Sequence, residues 1–295
     1  MSDGQWDRIR NGQGFIAALD QSGGSTPGAL ATYGVDQDAY STPDEMFDLV
    51  HALRVRIATS PAFDSRILGA ILFEGTMRRD IDGVPAATFL WERKSVVPFV
   101  KIDKGLTGTT NDVQLMALIP GLGDLLTEAR QNSVFGTKAR SLIHEANKDG
   151  ISTLVEQQFE VGEQVLRGGL VPIIEPEVSI ASSSKSDAEA LLREQLLTRL
   201  DTVSSPVILK LTLPETAGYY RSLIDHPKVV RVLALSGGYS LEESVQRLSE
   251  NPGVIASFSR VLTDGLHADQ SPEQFNTRLD RTIGVIAAAS VTTQT

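Results

Sequence analysis

Short runs of Val, Ile, Leu, Ala and Phe recur along the chain, and most are separated by a stretch long enough for a helix. Bounded by turn residues, eight such runs read as strands. The first four are Gly14–Asp20 (GFIAALD), Leu68–Glu74 (LGAILFE), Pro98–Asp103 (PFVKID) and Phe135–Arg140 (FGTKAR). The second four are Val171–Glu177 (VPIIEPE), Val207–Thr212 (VILKLT), Val230–Ser236 (VRVLALS) and Val254–Arg260 (VIASFSR). Their near-continuous apolar character is that of strands buried on both faces.

Helical patterns fill the intervals. Thr42–Ala58 opens with TPDE, which puts a capping hydroxyl at Thr42 and Pro43 in the first turn. Gly150–Arg167 carries a broad apolar stripe through Ile151, Leu154, Val155, Phe159 and Leu166. Lys185–Leu200 is expected to be capped by Ser186 or Asp187. Ser240–Ser249 begins SLEE, a capping-box pattern, and Ser271–Ala289 begins SPEQ, a cap followed by proline.

Eight strands alternating with helices point to a (β/α)8 TIM barrel, an α/β fold, in one domain spanning residues 1–295. The rival, a doubly wound open sheet, announces itself with GxGxxG after its first strand. Here that strand ends in LDQSGGSTPG, which lacks the spacing.

Composition narrows the chemistry. There is no cysteine among the 295 residues, so disulfides, thiolate zinc sites, Fe–S clusters and a cysteine nucleophile are excluded. The net charge of −10 makes a poor binder of nucleic acid or an anionic membrane. The N-terminus has no signal-peptide pattern and no run is long enough to span a bilayer, so a cytoplasmic protein is expected. Four scattered histidines, His51, His144, His226 and His267, form no metal-binding pattern, and no metal cofactor is expected.

Against that background, charge inside apolar strands stands out. Asp20, Lys101, Asp103, Lys138, Arg140, Glu175, Glu177, Lys210 and Arg260 all fall within predicted strands, mostly near their C-terminal ends. Several are two residues apart and so share a strand face. With Ile102, Ala139 and Pro176 facing the helices, these charges face the barrel mouth, where enzymes of this fold place their sites. Charge is seldom buried unless it is paired or used.

Lys210 is a lone amine in VILKLTL. Desolvation and a neighbouring cation, for which Lys138 is the candidate, lower a lysine pKa and favour attack on a carbonyl to form a Schiff base. Glu175 and Glu177 in EPE supply carboxylates for proton transfer. Ser236, Gly237 and Gly238 close strand seven before a helix, a favourable setting for an anion, with Arg260 placed to clamp it.

These stretches together resemble the class I fructose-bisphosphate aldolases, the shorter bacterial branch most closely. ALDQSGGSTPGAL, ILFEGTM, VKIDKGL, GTKAR, VPIIEPE, VILKLTL, LALSGG and SFSRVL carry the resemblance, over roughly residues 10 to 265. It implies a metal-free, reversible cleavage of fructose 1,6-bisphosphate to dihydroxyacetone phosphate and glyceraldehyde 3-phosphate, as in glycolysis and gluconeogenesis. Lys210 matches the Schiff-base lysine, Glu175 and Glu177 the acid/base glutamates, Lys138 the assisting lysine and Asp20 the strand-one aspartate. Lys101 and Arg140 match residues that approach the far phosphate or sugar hydroxyls, and Ser22 and Ser25 fall in the matching turn after strand one. Ser236, Gly237, Gly238 and Arg260 match the site for the phosphate on C1.

Two departures accompany the resemblance. Gly28 and Ala29 stand where relatives with a basic residue in this helix carry it, which implies a more loosely held second phosphate. The tyrosine-ended tail of longer animal members has no counterpart in SVTTQT. Two other readings stay open: another Schiff-base barrel lyase or transferase, of transaldolase or deoxyribose-phosphate aldolase type, and a phosphosugar-binding barrel without turnover. The expected partner is a small phosphosugar, and the sequence leaves the oligomeric state open.

Overall fold

The computed structural model describes residues 2–22 and 26–291. Its eight main strands are β1 (Phe15–Leu19), β2 (Ile67–Leu72), β3 (Val97–Lys101), β4 (Gly136–Ile143), β5 (Val171–Val178), β6 (Val207–Thr212), β7 (Val229–Leu235) and β8 (Val254–Ala256). Each pairs in parallel with the next in chain order. Between β8 and β1 the seam carries an Ala18 N–H to Phe258 carbonyl bond of 3.3 Å. The sheet is thus the nearly closed barrel that eight alternating apolar runs predict.

Nine helices of seven or more residues are found among the described residues. They are α1 (Asp3–Asn11), α2 (Thr26–Thr32), α3 (Pro43–Thr59), α4 (Ala86–Lys94), α5 (Leu122–Gln131), α6 (Lys148–Arg167), α7 (Lys185–Leu200), α8 (Leu241–Ser249) and α9 (Pro272–Ser290). No helix of the described residues is long and apolar enough to cross a membrane. Thr42 and Ser271 cap α3 and α9 in full capping boxes with Glu45 and Gln274. At α8 the box is half made. Ser240 accepts from the Glu243 N–H, but the Glu243 carboxylate is taken by Arg247. The start of α7 is also corrected: the helix begins at Lys185, and neither Ser186 nor Asp187 caps it. Ser184 stands at the cap position with its hydroxyl committed to Glu145 and to the Ala146 N–H.

Two apolar layers hold the barrel. The inner one fills its lower half with Ile16, Val97, Phe99, Phe135, Val171, Ile173, Ile208, Leu233 and Ile255. Gly136 makes room for it: a Cβ there would lie 2.3 Å from the Val171 carbonyl and 2.8 Å from the Phe99 ring. Phe99 and Phe135 then meet edge to face at 5.5 Å, each burying a ring for about 2–3 kcal/mol. Helix α1 covers the end of the barrel remote from the charged strand ends. Its Ile9 is fully buried, Trp6 meets Phe135 at 5.1 Å, and Arg231 donates to the carbonyls of Ile9 and Gly12. The outer layer packs α3, α6, α7 and α9 on the strands through residues such as Ile57, Phe159, Leu192 and Ile283.

Strand eight is shorter than its apolar run suggests. The Ser257 N–H still reaches the Ala234 carbonyl at 2.8 Å, but Ser259 turns the backbone out of the ladder (φ −106°, ψ −78°). Arg260 therefore opens a helical turn, Arg260–Thr263, and is not part of the strand.

Candidate active site

A cleft of about 750 Å³ opens at the C-terminal ends of the strands. It gathers side chains that sequence spacing placed on different strands. Lys210 projects from the middle of β6, Lys138 and Arg140 from β4, Glu175 and Glu177 from β5, and Lys101 from the end of β3, while Asp20 and Asp103 stand one and two residues beyond β1 and β3. Period two puts Lys138 with Arg140 and Glu175 with Glu177 on the same side of their strands. Ile102 and Ala139 pack the other way, among α4, α5 and α6.

Glu175 is the hub. Its Oε1 lies 3.1 Å from Lys210 Nζ and its Oε2 lies 2.9 Å from Lys138 Nζ. Lys138 also meets Asp20 Oδ2 at 2.7 Å and lies 3.9 Å from Asp103 Oδ2. All four members of the Asp20–Lys138–Glu175–Lys210 chain are buried, at 3–7% exposure, so their charges interact through protein rather than bulk water. Around them Lys101 pairs with Asp103 at 2.6 Å and Arg140 with Glu177 at 2.5 Å, while Asp103 also accepts the Arg140 N–H at 3.1 Å.

The protonation states follow from this packing. Burial pushes the Asp20 carboxyl up, but Lys138, with Lys210 and Lys101, outweighs it and holds the group down at about 2. Glu175 behaves likewise: burial raises it, and Lys138 and Lys210 bring it below the usual glutamate value. Burial opposes the Lys138 charge, yet Asp20, Glu175 and Asp103 together raise its pKa. At neutral pH Lys138 is thus a fixed cation and Glu175 a carboxylate shared between two amines.

The other end of the cleft is built for an anion. Gly237 (φ +64°) and Gly238 (φ +131°) turn the chain sharply after β7 in conformations that suit glycine. A Cβ on Gly237 would strike Ile180 at 2.6 Å. An Arg260 Nη atom lies 3.8 Å from where a Gly238 Cβ would stand. Among the described residues, Arg260 is the cation of the cleft wall with no carboxylate within ion-pair distance. The Ser257 and Ser259 hydroxyls line the same end, buried and without a hydrogen-bond partner. Buried hydroxyls left open beside an unpaired guanidinium suit a phosphate.

The sequence-predicted residues therefore converge, with one exception in kind: Ser25 lies outside the described residues, as do Gly23 and Gly24 of the same turn and residues 292–295 of the tail. Ser22 lines the cleft beside Asp20. Gly28 faces open space, with no heavy atom within 4 Å of a would-be Cβ. Several residues in or beneath the cleft wall were assigned no role by the sequence reading. Ser257 and Ser259 alternate in SFSR and carried a signal only once the strand end was known. Lys104 pairs with Glu74, which also meets Arg78 at 2.6 Å, so the rim carries an ion pair formed from two strand exits. Arg54, buried on α3, donates to Thr76 and to the Gln21 carbonyl beneath the turn after β1. Nothing in a helical arginine marks that role beforehand.

The chain is similar to known proteins along nearly its whole length. The chain is 54% identical over 291 residues to a class 1 fructose-bisphosphate aldolase of Synechocystis, covering 98% of this chain and 97% of that one. It is 51% identical over 292 residues to that of Porphyromonas gingivalis and 51% identical over 295 residues to that of Clostridium acetobutylicum, covering 99% of this chain and the whole of each relative. Among solved structures, a fructose-bisphosphate aldolase from Plasmodium falciparum superposes with a TM-score of 0.79 at 18% identity, over 99% of this chain and 94% of that one. An archaeal fructose-1,6-bisphosphate aldolase with a carbinolamine on its catalytic lysine gives 0.54 at 14% identity, over 96% and 98%, respectively. These two likenesses speak to the fold; no family model matches. Identity above one half over essentially the whole length settles the family: the chain belongs to the class 1 fructose-bisphosphate aldolases.

Proposed function

We propose that the protein, as a single aldolase domain, reversibly cleaves fructose 1,6-bisphosphate to dihydroxyacetone phosphate and glyceraldehyde 3-phosphate through a Schiff base on Lys210. The observation that carries this reading is the buried contact of Lys210 and Lys138 with opposite oxygens of Glu175. A lysine must lose its proton to attack a carbonyl, and Glu175, 3.1 Å away, is the group placed to take it. Its two cations favour the carboxylate in the resting site and make the protonated form a ready acid once Lys210 is neutral.

The steps follow. Neutral Lys210 adds to the ketose C2, giving a carbinolamine. Glu175 returns its proton to the departing hydroxyl, water leaves, and a protonated imine remains. That imine takes up the electron pair when the C3–C4 bond breaks, while Glu175, aided by Asp20, removes the C4 hydroxyl proton. The aldehyde departs, the enamine is protonated at C3, and water hydrolyses the imine. Lys138 stays charged throughout and steadies the carboxylates on either side. No metal takes part, since the imine supplies the electron sink. The Ser236–Gly238 turn and Arg260 hold the C1 phosphate, and Lys101, Arg140 and Ser22 face the distal half of the sugar. We further propose a cytoplasmic protein with phosphosugars as its partners and no nucleic-acid or membrane partner, in keeping with a cysteine-free, acidic chain.

Borohydride reduction with dihydroxyacetone phosphate, followed by peptide mapping, tests the reading. A triose phosphate fixed on Lys210 with loss of activity supports it. Labelling of Lys138 or Lys101 with Lys210 unmodified would overturn it.

A further inference from the structure

Outside the cleft, two charges are buried where catalysis does not use them. Lys185, at the start of α7, is 5% exposed and Glu189, one turn on, is 2% exposed. They pair at 2.5 Å. Burying an ion pair is costly in desolvation and adds little net stability, so its value lies in the geometry it imposes. Here it grips one short piece of backbone. Lys185 donates to the Leu213 carbonyl at 2.9 Å, and Glu189 accepts the Glu215 N–H at 3.1 Å. The segment held between them, Leu213–Glu215, leaves β6 three residues after Lys210.

The side chain of Glu215 then reaches the neighbouring strand exit. Its Oε1 lies 3.0 Å from Lys185 and accepts the Tyr239 hydroxyl at 3.3 Å. Tyr239 directly follows the two glycines, and its N–H closes their turn onto the Ser236 carbonyl at 3.0 Å. Arg247 lies over the Tyr239 ring at 4.4 Å, donates to the Pro214 carbonyl, and stands 3.6 Å from Glu215. Burial foremost raises the Tyr239 phenol to about 12, so it remains a donor across the working pH range.

We propose that Glu215 and Tyr239 are positioning residues that fix the distance between the Schiff-base strand and the phosphate turn. This inference rests on the assignment of that turn to the C1 phosphate. A ketose phosphate bound covalently at C2 and ionically at C1 spans two anchors only a few bonds apart. Lys210 is fixed by β6; the turn after β7 carries two glycines and has little intrinsic stiffness. Ile180 packs on the turn from one side, and the Glu215–Tyr239 strut ties its far end to the exit of β6. Losing the strut leaves the amine, its carboxylates and the barrel in place but lets the second anchor drift.

Tyr239→Phe and Glu215→Gln, both folded by melting temperature, are compared with the unaltered chain and with Arg260→Ala. Each strut variant is expected to raise KM for fructose 1,6-bisphosphate and the inhibition constant of inorganic phosphate by about fivefold or more, with kcat within about threefold. The rate of borohydride trapping with dihydroxyacetone, which has no phosphate, is expected to stay unchanged. Unaltered KM and phosphate inhibition in both variants would overturn the proposal, as would an equal loss of dihydroxyacetone trapping. If Glu215→Gln does not fold, Tyr239→Phe alone decides. Unchanged phosphate inhibition in Arg260→Ala would instead overturn the assignment of the anion site itself.

Discussion

Lys210 Nζ and Glu175 Oε1 stand 3.1 Å apart in a site where both side chains are 4% exposed. The proposed nucleophile and its proposed base are therefore in contact before any substrate arrives, and the second oxygen of the carboxylate is held by a cation that does not titrate near neutral pH. Removing the amine leaves that arrangement without a reaction. Lys210→Ala is expected to lower kcat for cleavage by about a thousandfold or more and to abolish borohydride trapping. Trapping that persists in this variant at the normal rate would refute the assignment.

In the proposed mechanism Glu175 carries protons in both directions, so its loss should slow several steps at once. Glu175→Gln keeps the shape and removes the base. An expected drop in kcat of about a hundredfold, with a parallel slowing of imine formation, follows from the usual worth of general acid–base catalysis. Stopped reactions of the variant with dihydroxyacetone phosphate check it, and imine formation at the unaltered rate would count against the role.

Among the described residues Arg260 has no carboxylate within ion-pair distance, which in the proposed reading leaves its charge for the substrate. Arg260→Ala is expected to raise KM for fructose 1,6-bisphosphate by about tenfold or more through loss of a charge-assisted contact. A fall confined to kcat would place the residue outside ground-state phosphate binding.

Activity is expected to survive prolonged dialysis against EDTA unchanged, because the proposed electron sink is the imine. Loss of activity that a divalent ion restores would contradict the mechanism.

Asp20 offers a pH test of the buried chain. Its carboxyl titrates at about 2 in the folded protein, below the unfolded value near 3.8. Stabilisation from a depressed acid is present above the unfolded pKa and disappears as pH falls through the folded one. Asp20→Asn should therefore cost about 2 kcal/mol of stability at pH 6 and almost nothing near pH 2. Denaturant unfolding across that window measures it, and a penalty that does not shrink with acid would show that Asp20 is not held by its lysines.

Most of this was legible in the sequence where local rules act alone. The strand runs were readable because burial on both faces leaves few polar residues between Val171 and Ile174 or between Val207 and Leu209. The buried chain of charges was readable because charge at Lys138, Glu175 and Lys210 violates that rule at matching depths. Other features depend on partners distant in sequence. Helix α1 hides only Gln5 and Ile9 among its residues, so its pattern carries little periodic signal. Lys185 looks like a surface lysine until Leu213 and Glu189 enclose it. The Ser257 and Ser259 hydroxyls resemble any others near a turn, and their lack of partners exists only in three dimensions.

Among the described residues, helix α1 and the packed rings of Phe99 and Phe135 fill the end of the barrel opposite the cleft. In the proposed mechanism, cleavage leaves one fragment tethered through Lys210 and the other free. The free aldehyde is then expected to leave while the tethered half awaits hydrolysis of its imine. Release order then follows from that covalent tether: the three carbons that carried C4 to C6 are expected to go first, and in the synthetic direction the same half to arrive last.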